Sequence, residues 1–94
     1  MPAVTRIGDD DVAHCSPMVR AVGSGNVYVN NIPVSRQTDV NTAHAGPACA
    51  THKAPITTGS TTVFVNNLGC GRIGDAITAC TKVAEGSPDV FAGG

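Results

Sequence analysis

Three residues with an affinity for soft metal ions stand at one fixed offset from an aspartate. Asp9 is followed five residues later by His14, Asp39 by His44 and Asp75 by Cys80. Imidazole nitrogen and thiolate sulfur are the donors that borderline-soft ions such as zinc prefer. A tetrahedral site needs a fourth donor. The segments after the three residues differ in length: His14 lies 9 residues before Gly23, His44 lies 15 before Gly59, and Cys80 lies 6 before Gly86. The longest holds the one remaining histidine, His52, and has the slack to fold back and complete the set. The expected ligands are therefore His14, His44, His52 and Cys80, holding one ion per chain. Zinc suits that donor set best, and iron less well. A lone histidine on a loop is more often solvated than ligating, so it is the shared register that speaks for a site here.

Three cysteines remain. Cys15 follows His14 and Cys49 lies three residues before His52, so either is a rival ligand, and in an oxidising setting the two could pair. The plain expectation for Cys15, Cys49 and Cys70 is that of small, partly buried packing residues. Cys70 occupies the same motif position as Val4 and Val34, which favours packing.

The elements that must position the ligands form a repeat. Gly23-Ser24-Gly25-Asn26-Val27-Tyr28-Val29-Asn30-Asn31 is matched by Gly59-Ser60-Thr61-Thr62-Val63-Phe64-Val65-Asn66-Asn67, and again by Gly86-Ser87-Pro88-Asp89-Val90-Phe91-Ala92-Gly93-Gly94. Every aromatic residue of the chain falls five positions after the leading glycine. A second motif alternates with the first: Ala3 to Asp9, Pro33 to Asp39 and Gly69 to Asp75 each place arginine (Arg6, Arg36, Arg72) three residues before aspartate. Only Arg20 among the arginines falls outside these motifs. The Val-aromatic-Val/Ala runs are short, β-favouring and closed by turn residues. The pattern predicts an all-β domain of about six short strands, one per motif copy. Three copies in so short a chain imply closure about a pseudo-threefold axis, which would bring the three equivalent donors to one point.

Composition calls for such a staple. With 94 residues the chain is expected to be one domain, residues 1–94. A domain of this size buries only roughly 60–65% of its unfolded surface. Three aromatics, no Trp, 11 Gly and 6 Pro leave little bulk for a core, so a metal, a disulfide or a partner should supply the deficit. A net charge of −1 without a basic run speaks against nucleic acid. No apolar stretch approaches a membrane span. The opening residues lack the apolar core of a secretory signal, so synthesis in the cytoplasm and export by a signal-independent route are expected.

The alternation of Pro-x-x-Arg-x-x-Asp with Gly-Ser-x-x-Val-Phe-Val-Asn resembles the PAAR-repeat family, with Pro33-Val34-Ser35-Arg36 nearest its naming motif. Ala3 and Gly69 stand where the family has Pro, Gln37-Thr38 replaces its apolar-Gly pair, and the Ala-Ala pair is replaced in all three copies. The resemblance covers essentially the whole chain. It implies a small cone of β-hairpins with a zinc near its point, bound by His14, His44, His52 and Cys80. It further implies a flat base seated on the blunt end of a trimeric β-helical spike, one cap per trimer, in a type VI secretion system or a contractile phage tail. Such a tip is ejected at the target cell, meets its membrane transiently and in some members carries secreted effectors. Because the motifs run from the first residues to the last, no space for a fused effector is expected here. A zinc hydrolase is the runner-up, and a free-standing metal-binding module the third reading. The single glutamate, Glu85, and the turn acids Asp10 and Asp11 make a poor supply of catalytic base.

Overall fold

In the computed structural model, which describes residues 1–47 and 49–94, the chain forms six short strands and, among the described residues, no helix. Strands β1 (Tyr28–Val29) and β2 (Ile32–Pro33), β3 (His44–Gly46) and β4 (Cys49–His52), and β5 (Phe64–Val65) and β6 (Leu68–Gly69) make three antiparallel pairs. The molecule is elongated, with extents of 37 × 23 × 21 Å. The expected all-β class of short hairpins is what forms.

The first and third hairpins turn on Asn-Asn. Asn30, Asn31, Asn66 and Asn67 all have positive φ (55°, 64°, 53° and 66°), as a two-residue type I′ turn demands of both central positions. Asparagine tolerates that region better than most residues because its side chain bonds locally.

The strands are not distributed one per motif copy. The copy from Gly86 to Gly94 contributes no strand of its own, and two strands fall instead in the long segment of the second repeat. The reason lies in the pairing. Tyr28 pairs with Pro33 and Phe64 with Gly69, whereas the equivalent Phe91 pairs with Ala3, near the other terminus. The Ala92 N–H donates to the Pro2 carbonyl at 3.0 Å. The hairpin of the third Gly-Ser copy is thus split between the two chain ends, and its closure makes the repeat circular.

Two rings express the threefold relation. In the first, equivalent residues bond head to tail: the Thr5 N–H donates to Gly71 O (3.0 Å), Gly71 N–H to Ser35 O (3.0 Å) and Ser35 N–H to Thr5 O (3.1 Å). Around it pack Val4, Val34 and Cys70, together with Val65 and Ala92, as one buried cluster. Cys70 is 2% exposed, so its motif position is indeed a packing position. In the second ring, Asp11 pairs with Val83, Asn41 with Arg20 and Ile77 with Ile56. Half of that layer is apolar: Ala54, Ile56, Ile77 and Val83 form the second buried cluster. The other half is ionic. Arg20 is fully buried and donates to Asp11 Oδ2 (2.9 Å), to the Asp39 carbonyl (2.6 Å) and to Ser35 Oγ (3.2 Å). Asn41 Nδ2 also donates to Asp11 Oδ2, at 3.1 Å.

The motif residues have repeated tasks. At Gly23, Gly59 and Gly86 a Cβ would lie 2.7, 3.0 and 2.6 Å from the backbone carbonyl of Val34, Gly69 and Val4 respectively. The following serines, Ser24, Ser60 and Ser87, are buried, and each Oγ accepts the N–H groups two and three residues ahead. Each arginine grips its aspartate at i+3 (2.9, 2.8 and 3.0 Å), and each aspartate also accepts the arginine's own N–H. Between them the chain turns through a positive φ at Gly8 (90°), Thr38 (78°) and Gly74 (89°).

Thr38 is the misfit of that set, because a β-branched residue is strained at positive φ. Such strain costs on the order of 1–3 kcal/mol, while glycine loosens the unfolded chain by about 0.4–1 kcal/mol. Thr38→Gly is therefore expected to raise stability by about 1 kcal/mol, read as an upward shift of the thermal midpoint. No shift, or a fall, would show that the Thr38 side chain contributes more than its backbone costs.

Candidate metal centre

The β3–β4 pair places two of the candidate ligands opposite each other. His44 opens β3, His52 closes β4, and the two are direct cross-strand partners, with ring centroids 4.2 Å apart. His14 comes from the turn before Met18, where His14 bridges Ser16 around Cys15, itself at φ 69°. Its ring meets His44 and His52 edge-on, at 5.8 and 5.3 Å. Cys80 ends a tight turn in which its N–H donates to Ile77 O (3.0 Å), and it packs against the second buried cluster.

One donor atom from each of His14, His44, His52 and Cys80 lies within 4.8 Å of the other three. His44 Nε2 is 3.2 Å from Cys80 Sγ, and His52 Nε2 is 3.6 Å from it. Metal–nitrogen bonds of about 2.0–2.1 Å and metal–sulfur bonds of about 2.3 Å put tetrahedral ligands roughly 3.3–3.7 Å apart. The His52–Cys80 edge falls in that range, and the His44–Cys80 edge lies just below it.

Tautomers support the same reading. His44 Nδ1 faces the Thr42 carbonyl (2.9 Å) and His52 Nδ1 the Ala50 carbonyl (2.8 Å). A carbonyl only accepts, so each Nδ1 carries the proton and each Nε2 keeps its lone pair for the centre. This is the outer-shell arrangement that orients metal-binding histidines. No sequence signal marked these carbonyls beyond their common place two residues before each histidine.

Burial raises the Cys80 thiol above its ordinary pKa; the Asp11 charge adds to this, and a bond from Asn41 opposes it. A metal ion would reverse that balance by taking the thiolate as ligand. Cys70 lies in the other cluster, its thiol pushed up to about 11 chiefly by burial. It is an inert core residue.

The remaining cysteines correct the packing expectation: Cys15 and Cys49 form a disulfide, with Cα atoms 6.1 Å apart. In that state neither competes as a ligand. Two features escaped the sequence reading. Arg20 is the centre of a buried network, and the repeated aromatics do not enter the core. Tyr28, Phe64 and Phe91 are 55%, 60% and 50% exposed, in threefold-related positions beside the first ring. Their strict register was the available signal.

A family model described as PAAR motif matches residues 45–94, just over half of the chain. The match includes His52 and Cys80 and begins one residue after His44. No curated protein matches the chain.

Proposed function

The chain belongs to the PAAR-motif family, and from that premise we propose that it is the tip of a trimeric β-helical spike, stapled by one structural zinc held by His14, His44, His52 and Cys80. The observation that carries the reading is the ring of hydrogen bonds through Thr5, Ser35 and Gly71, by which one chain acquires threefold form. A trimeric spike ends in three strand edges, and unpaired edges are adhesive. A single cap of matching symmetry engages all three at once. Tyr28, Phe64 and Phe91 are the contacts we assign to that seat, each half-exposed ring presenting on the order of 100 Å². The three rings together present about 300 Å² of apolar surface, the lower end of the patch size that marks interfaces.

Four donors fill a tetrahedral ion's coordination and leave no place for an activated water, so the centre is structural rather than hydrolytic. The machine is a secretion system or a phage tail. Its tip reaches the target cell on ejection, crosses that cell's membrane transiently and accompanies secreted effectors.

Native mass spectrometry of the chain with a trimeric β-helical spike tests the proposal. The expected complex contains three spike chains, one cap and one zinc, and disappears when Tyr28→Asp, Phe64→Asp and Phe91→Asp are combined. Three caps per trimer, or an unaffected complex, would overturn the assignment of the seat.

A further inference from the structure

Of the three histidines, His14 alone lacks an orienting hydrogen bond on its ring among the described residues; His44 and His52 each have a carbonyl on Nδ1. Hydrogen bonds from the Asp11 N–H to the Met18 carbonyl and from the Val12 N–H to the Lys82 carbonyl close the base of its turn, and the next residue ties down the tip. Cys15 is tied to Cys49, and Cys49 opens the strand that ends in His52. The turn also presses on β3, since a Cβ on Gly46 would lie 2.7 Å from the Cys15 carbonyl. Cys15 itself sits at a positive φ that a non-glycine residue rarely adopts unless its surroundings impose it. His14, Cys15 and Cys49 also gather their donor atoms within 4.8 Å of one another, so the bond lies directly beside the candidate centre.

We propose that the Cys15–Cys49 disulfide is the positioning device for His14, which makes the hold of the centre on its metal dependent on redox state. The inference rests on the four-ligand reading above. Closed, the disulfide does for His14 what the Thr42 and Ala50 carbonyls do for the other two histidines. Opened, the turn is released from β4 and His14 becomes a mobile ligand. Opening is a two-electron step. In thiol–disulfide exchange a dithiol gives up two electrons and two protons and leaves as its own disulfide, while Cys15 and Cys49 become thiols. Reducing compartments favour the open form and oxidising ones the closed form, so the tip would grip its metal hardest after leaving the cytoplasm.

The test follows transfer of zinc from the loaded protein to a chromophoric chelator, with and without a trialkylphosphine. The phosphine takes the oxygen of one water and leaves as its oxide, and the water's two hydrogens end on the two sulfurs. Loss of an outer-shell partner typically weakens a metal site about 10–100-fold, so reduction is expected to speed release at least about tenfold. Cys15→Ser with Cys49→Ser should release zinc at the fast rate whether or not phosphine is present. His14→Ala should speed release in the disulfide-bonded protein and add little in the double serine variant. A release rate indifferent to phosphine overturns the proposal, as does an equal effect of His14→Ala in both backgrounds. Four free thiols instead of two in the oxidised, denatured and metal-free chain also overturns it. Should the serine variants fail to fold, the phosphine arm on the unaltered chain decides alone. Oxidised protein that binds no zinc would sink the metal centre itself, a result distinct from zinc bound and released at one rate.

Discussion

Arg20→Met is expected to lower the melting temperature by roughly 12–40 °C, the largest effect of any substitution away from the candidate ligands. The guanidinium is fully buried, and so is its partner carboxylate on Asp11. Removing one member of a buried pair leaves the other charged and unpartnered, which costs about 3–5 kcal/mol. In a domain under 100 residues, each kcal/mol moves the midpoint by about 4–8 °C. Two circumstances aggravate the loss. Asp11 Oδ1 already lacks a partner among the described residues, and Arg20 also ties the Asp39 carbonyl and Ser35 Oγ to the same point. The pseudo-symmetry supplies a control. The positions that Asp11 and Arg20 occupy in the second ring are filled in the third pair by Ile77 and Ile56. Arg20→Met combined with Asp11→Leu should therefore recover part of the loss, with Asn41 Nδ2 remaining unsatisfied. A double variant less stable than Arg20→Met alone, or a single variant within a few degrees of the parent, contradicts this account.

Cys80→Ser is expected to strip the proposed zinc and to destabilise the chain by a comparable or larger amount. The thiolate is the softest of the four donors, and it touches two of the others, His44 Nε2 and His52 Nε2. Structural zinc contributes on the order of 10 kcal/mol or more to the folding of small zinc-finger peptides. Without it, three imidazoles and a turn are left with neither a common partner nor an apolar core, since Cys80 is only at the margin of the second cluster. Elemental analysis and thermal melting measure both halves of the prediction. Cys70→Ala is the matched control: its sulfur lies in the first cluster, so the variant should lose some stability and keep one zinc. Zinc retained by Cys80→Ser and lost by Cys70→Ala would show that the register places the wrong thiol at the centre.

Much of this was legible before any fold was considered. The register of His14, His44 and Cys80 behind three aspartates, and the slack around His52, point to four residues that the structure draws within 4.8 Å. The Gly-Ser and Arg-x-x-Asp motifs announced tight local geometry, and each is satisfied within a few residues along the chain. What stayed hidden depended on partners far away in sequence. Arg20 looked like a residue outside the pattern because its partners come from three separate segments. The strand expected at Val90–Phe91 is one half of a hairpin whose other half is Ala3.

The sequence by itself determined the repeat, the turns and the four candidate donors, because those are set by side-chain chemistry and by hydrogen bonds that span two to five residues. Only the tertiary structure decided that the repeat closes into rings through Thr5, Ser35 and Gly71, that the aromatics face outward, and that Cys15 meets Cys49 across 34 residues. Each of these depends on a pairing of distant segments. Its cost in chain entropy is met by the assembled core, whose three-dimensional shape no local spacing encodes.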